Sequence, residues 1–127
     1  MPNTAITMLN LTRNGQKEFT TTAATADTAD LAEVFDITPT ADDKMYIQIN
    51  NVSGTNGSVT WSLAAGDFPM AVGALTGTIP QGKSYLIQVE TGRYKKNTGK
   101  LALTITPASG KKLKTDHTLT VQSVQLG

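Results

Sequence analysis

Polar and apolar residues alternate with a period of two along several stretches of this chain. In 44–50 (KMYIQIN), Met45, Ile47 and Ile49 fall on one side and Lys44, Tyr46 and Gln48 on the other. The same period places Val59, Trp61 and Leu63 together in 58–64, Tyr85, Ile87 and Val89 in 84–90, and Leu101, Leu103 and Ile105 in 100–106. A strand turns successive side chains to opposite faces, so each stretch predicts a half-buried strand. Residues 4–12, 74–79 (ALTGTI, with Leu75 and Ile79 sharing a face) and 117–126 extend the set. Residues 31–38 (LAEVFDIT) fit helix or strand by pattern; β-branched and aromatic content and the following Pro39 favour a strand.

Turn chemistry separates these stretches. Asn14-Gly15 favours a tight turn, with 16–20 (QKEFT) as the returning strand. Asn50-Asn51 and Gly54–Gly57 suggest that 44–50 and 58–64 form a hairpin anchored in the core by Trp61. Thr40–Asp43, Gly66–Pro69, Pro80–Lys83, Gly92–Gly99 and Pro107–Lys112 are further breaks. Residues 20–30 (TTTAATADTAD) have little to bury and read as a mobile surface loop or weak edge strand. Residues 1–5 read as a flexible N-terminal arm. The pattern predicts one all-β domain over 1–127, an antiparallel β-sandwich, jelly-roll-like, with eight or nine short strands and little or no helix. A closed barrel is the alternative.

Composition narrows the chemistry. At 127 residues one core is expected. Cysteine is absent, so disulfides, thiolate metal clusters and thiol nucleophiles are excluded. No apolar run approaches the roughly 20 residues of a transmembrane helix, and no secretion signal opens the chain, so folding in a cytoplasm is expected. The net charge of +1 hides a segregation: residues 1–82 sum to −5 and residues 83–127 to +6. Such a molecule suits docking on a charged partner or head-to-tail contact with its own copies, unless interleaved strands cancel the asymmetry.

Candidate catalytic groups are few. The single histidine, His117, begins a predicted strand beside Asp116, and adjacent strand residues point to opposite faces. With no G-x-S-x-G motif, it reads as a surface histidine. Asp27, Asp30, Asp36, Asp42 and Asp43 lack the ordered spacing of a calcium loop and read as turn residues. GTNGS at 54–58 lacks the lysine of a phosphate-binding loop. The basic run Arg93-Tyr94-Lys95-Lys96, with Lys111 and Lys112, carries an interleaved aromatic, but a domain-wide basic footprint is missing. An acidic protein surface suits these charges better than nucleic acid. No catalytic, cofactor-binding or metal site is expected.

One segment adds to this reading. Ala65-Gly66-Asp67, then Gly73–Ile79, Gln81-Gly82-Lys83 and Glu90-Thr91-Gly92-Arg93-Tyr94-Lys95, closed by Gly99, resemble the recurrent segment of phage head decoration (minor capsid) proteins. The resemblance spans about 57–106, with Tyr94 where that family usually has Phe. It implies a non-enzymatic virion protein on the capsid exterior, made in the bacterial host, that binds the major capsid protein and stabilises the assembled shell, commonly as a trimer. Arg93, Tyr94, Lys95, Lys96, Lys111 and Lys112 are then the candidate capsid or oligomer contacts. Arg93 paired with Glu90, and Tyr94 packed at the sandwich edge, is the competing reading of those two residues. Competing functions are a glycan- or receptor-binding module using exposed aromatics, another minor virion component such as a tail-tube or connector protein, and, last, an enzyme built around His117.

Overall fold

The computed structural model describes residues 1–41, 43–69 and 72–126. Ten strands occur among them: β1 (Asn3–Ile6), β2 (Met8–Leu11), β3 (Thr22–Ala23), β4 (Glu33–Ile37), β5 (Lys44–Asn50), β6 (Val59–Leu63), β7 (Leu75–Ile79), β8 (Ser84–Glu90), β9 (Leu101–Thr106) and β10 (Thr120–Leu126). A single helical turn, α1 (Thr91–Tyr94), lies between β8 and β9. One sheet has the order β1-β4-β9-β6-β7; the other has β2-β10-β5-β8, with β3 also on β10.

Three of the alternating stretches become the core, while in 84–90 Val89 alone is buried, Ile87 is half-buried and Tyr85 is exposed. Met45, Ile47, Ile49, Val59, Trp61, Leu63, Leu101, Leu103 and Ile105 are all buried between the sheets, joined by Phe35, Ile37, Ile79 and Val121. Apolar burial of this extent is the main force holding the layers together. From β3 onward the antiparallel pairs are nested: β3 with β10, β4 with β9, β5 with β8, β6 with β7. Pairs β5–β10 and β6–β9 then roll this ribbon into two sheets.

The expected sandwich is present, with four differences. Its sheets are mixed, because β1 runs parallel to β4 and β2 parallel to β10. Residues 3–5 of the expected arm are therefore paired in a sheet and not free. Only Thr7 separates β1 from β2, so one extended segment joins both sheets, burying Ile6 in one and Met8 beside the other. Strands β5 and β6 are not a hairpin; they lie in different sheets, and 51–58 crosses between them. Gly15 N–H does bond Thr12 O in the turn at Asn14, yet 16–20 forms no strand. The 20–30 stretch is better anchored than its composition suggests, since β3 pairs with β10 and Ala24 and Ala26 are buried. Asp42, part of the expected polar turn, lies outside the described residues.

Glu33 anchors that stretch. Its buried carboxylate accepts from Thr25 N (2.8 Å), Ala26 N (2.8 Å), Thr25 Oγ1 (3.2 Å) and the Thr4 hydroxyl. One side chain of β4 thus holds both β1 and the segment leading from β3. A buried carboxylate persists only with such a donor set.

At the far edge, Gly77 pairs with Trp61, and a Cβ there would lie 2.7 Å from the indole ring. The missing side chain lets the ring lie flat against β7. Gly77→Ala is expected to displace the indole and cost about 1–3 kcal/mol by overpacking, read from denaturant midpoints and a red shift in tryptophan emission. Glu33→Ala strands two backbone donors and is expected to cost about 2–4 kcal/mol, whereas Glu33→Gln, which keeps one acceptor, costs clearly less. Equal losses for the two Glu33 variants would contradict the role assigned to the donor set.

Candidate functional site

The six candidate contact residues divide between opposite ends of the sandwich, because 93–100 precedes β9 and 107–119 follows it. They do not form one surface.

At the first end, β8 runs into α1. Glu90 and Thr91 begin the helical turn, and Lys95 N–H closes it on Thr91 O at 2.8 Å. Arg93 Nε donates to Glu90 Oε2 at 3.0 Å, an exposed i,i+3 pair of small energetic weight. Tyr94 is only 8% exposed and belongs to the core, so it is corrected from a contact residue to a packing residue. Its position at the end of a helical turn, not on a strand, directs the ring inward. The loop after β6 docks here: Gly66 N bonds Arg93 O, and Asp67 N bonds Lys95 O. A Cβ on Gly66 would sit 2.7 Å from Arg93 O, so this docking needs glycine. Asp67 Oδ2 accepts from Asn97 N (2.9 Å), and Lys96 Nζ lies 3.5 Å from Asp67 Oδ1. The Asn97 N–H, and less strongly Lys96, hold the Asp67 carboxyl below its ordinary pKa. Lys95 Nζ sits 6.0 Å from the centre of the exposed Phe68 ring. The corner thus presents Arg93, Lys95 and Lys96 beside two carboxylates and one exposed aromatic. An open groove of about 620 Å³ adjoins it, lined by Asp43, Lys44, Gln88, Val89, Glu90 and Gly92, in which charges of both signs alternate.

At the other end, Lys111 and Lys112 lie in the 107–119 loop. Acidic segment 27–30 packs against it: Asp30 N bonds Lys111 O, Gly110 N donates to Asp30 Oδ1 (2.6 Å), and Thr115 Oγ1 donates to Asp27 Oδ1 (2.8 Å). Acidic and basic parts of the sequence therefore lie side by side at this end.

His117 lies under that loop and is fully buried, which corrects its reading as a surface residue. It precedes β10 in an irregular segment, so strand alternation does not govern its direction. Its Nε2 accepts from Ala108 N at 3.1 Å, which leaves the proton on Nδ1 to bond Asn51 Oδ1, also at 3.1 Å. Asn51, likewise buried, donates through Nδ2 to Gly57 O (3.0 Å) and towards Ile79 O and Pro80 O (both 3.3 Å). This pair knits three loops over one end of the core. Gln125 does the same at the other end, accepting from Thr40 N (2.8 Å) and donating to Ala41 O (3.0 Å). Both ring nitrogens of His117 are occupied by structural partners and none is a nucleophile. Among the described residues no three His, Asp or Glu side chains gather as a metal site, and no helix is long and apolar enough to cross a membrane.

Set against protein-family models, curated proteins and solved structures, the chain finds no match in any of the three comparisons.

Burial pushes the His117 imidazole below its ordinary 6.5, Asp116 opposes this, and Lys111 adds to it. The folded state thus favours the neutral ring, and below pH 6.5 the unfolded chain binds the extra proton. Stability is expected to be level above about pH 7 and to fall as pH drops below 6.5, by at most about 1.4 kcal/mol per unit. Urea midpoints between pH 7.5 and about 5, a window in which unperturbed carboxylates stay ionised, should show this slope in the wild type. His117→Gln should flatten it, and an unchanged slope in that variant would remove His117 as its source.

Proposed function

We propose that this protein is a non-enzymatic capsid-binding protein of a phage virion, a head decoration protein that attaches to the outside of the assembled shell and stabilises it. The observation that carries the reading is the fate of the family-like segment 57–106. Two parts of its sequence signature, 65–67 and 90–95, meet in one built corner, in which Glu90–Arg93 pairing, buried Tyr94 and glycine-dependent docking of Gly66 hold Arg93, Lys95 and Lys96 on a rim, while Gln81-Gly82-Lys83 lies at the opposite end. Nested strand pairing supports the same reading, since we take this winding to be that of a jelly roll. The rim of lysines meets an acidic patch on the major capsid protein. Binding that favours the closed shell over separated subunits stabilises it by mass action.

The glycan-binding alternative needs an aromatic platform. Trp61 and Tyr94 are buried, while Tyr46 and Tyr85 lie on opposite faces of their sheet. The tail-tube or connector alternative carries a helix packed on a sheet, and here the described helix is one turn long. The enzyme alternative loses His117 to its two structural bonds.

Co-sedimentation with mature capsids is expected to give saturable, symmetric occupancy, visible by cryo-electron microscopy. Lys95→Glu with Lys96→Glu should weaken binding about tenfold or more and steepen no salt dependence, while Lys111→Glu with Lys112→Glu, at the opposite end, should leave it nearly unchanged. A well-folded protein that ignores mature shells would refute the proposal.

A further inference from the structure

The two sides of the sandwich are finished differently. On one side, the β1–β2 segment ties the sheets together. On the other, β7 and β8 are terminal strands joined only through the turn at 80–83. Bonds from Asn51 N to Lys83 O and from Thr91 N to Asp43 O set the odd-numbered backbone groups of β8 against β5. Antiparallel pairing alternates, so the N–H and C=O groups of Ser84, Leu86, Gln88 and Glu90 face the open edge. Ser84–Glu90 is seven residues long and contains no proline or lysine, the residues that commonly guard an edge. Its inner face is apolar, with Tyr85 45% exposed beside half-buried Ile87, and its outer face is polar apart from Leu86, which is 65% exposed.

The opposite edge of the same sheet carries a strand-like segment with no place to pair. Residues 12–21 leave β2 and return at β3, exposed throughout, with Phe19 52% exposed. Within them, 16–20 (QKEFT) hold two strand-favouring residues, Phe19 and Thr20, and have no sheet partner among the described residues. They cannot reach β8 of their own chain, because β10 and β5 intervene, a span of about 14 Å, and both ends are anchored at the far edge.

We propose that residues 16–20 of one copy add as an extra strand to the β8 edge of a second copy, head to tail. Donor and acceptor sit at opposite edges of one sheet, so each copy can give and receive, and the contact propagates until a ring closes. Phe19 then covers the open mouth beside Tyr85 and Ile87, and the even-numbered groups of β8 gain partners. This contact does not rest on the capsid reading, and its test uses no shells.

Sedimentation velocity of the full-length protein, from micromolar to about 1 mM, is expected to show a discrete oligomer. Phe19→Ser, which disables the donor, and Gln88→Pro, which blocks the acceptor, should each raise the concentration for half-assembly about tenfold or more while circular dichroism stays unchanged. Should Gln88→Pro lose its fold, Leu86→Lys serves as the acceptor-blocked variant. Mixed in equal amounts, the two folded variants retain one good donor and one good acceptor between them, so dimers and nothing larger are expected. A monomeric wild type at the highest concentration, a variant that assembles like the wild type, or a mixture that stays monomeric would each overturn the proposal.

Discussion

Everything in this molecule depends on burying alternate side chains between two sheets with no cross-link to help. Cysteine is absent, so packing and hydrogen bonding alone hold the layers. A sheet sandwich of this size has two ends and two sides where its core meets water. The structure closes them by different means. Each end is covered by loops pinned to a buried amide, Asn51 with His117 at one and Gln125 at the other. One side is closed by the extended β1–β2 segment, held through the donor set of Glu33. Polar groups are spent where the chain must cross the core without regular pairing, and each is satisfied because an orphaned one would cost more than it returns.

This division explains which features the sequence disclosed. Alternation in 44–50, 58–64 and 100–106 is a local property imposed by the pleat, so the strands and their buried faces were legible. Partners are not a local property. Turn residues at 50–57 suit a hairpin and a sheet-to-sheet crossing equally, and burial of Asn51 selected the crossing. His117 went unread for a related reason, since it lies just outside a strand, where period two no longer predicts direction, and for Tyr94 the same position left packing as one of two readings. Glu33 gave no signal because its four donors come from segments remote in sequence, Thr4 and Thr25–Ala26.

The candidate site shows the same limit. Six contact residues chosen by charge and aromaticity look continuous in sequence, with only a strand between the two groups. That strand is what separates them, since β9 carries one group to each end of the sandwich. Backbone bonds then set one group beside acidic residues, because 107–119 returns onto the 27–30 segment. What survives as a surface is the corner at 90–100, and its geometry is inherited from packing: Tyr94 inside, Gly66 beneath, Arg93 tied back.

The remaining open side follows from the winding itself. Nesting pairs from β3–β10 inward ends at β6–β7 and β5–β8, so β7 and β8 are the last strands of their sheets, with no further strand beside them among the described residues. The N-terminal segment could guard only one side and is committed to the other. Long native edges are normally blunted with lysine, proline or a bulge, because an unpaired ladder recruits strands. Here β8 has neither proline nor lysine within it and exposes Tyr85 and Leu86, while 16–20 stays unpaired at the far edge of the same sheet among the described residues. An exposed edge and an unpaired segment are two deficits that the one intermolecular pairing proposed above would remove together, so that proposal is argued from the fold and not from the charge pattern.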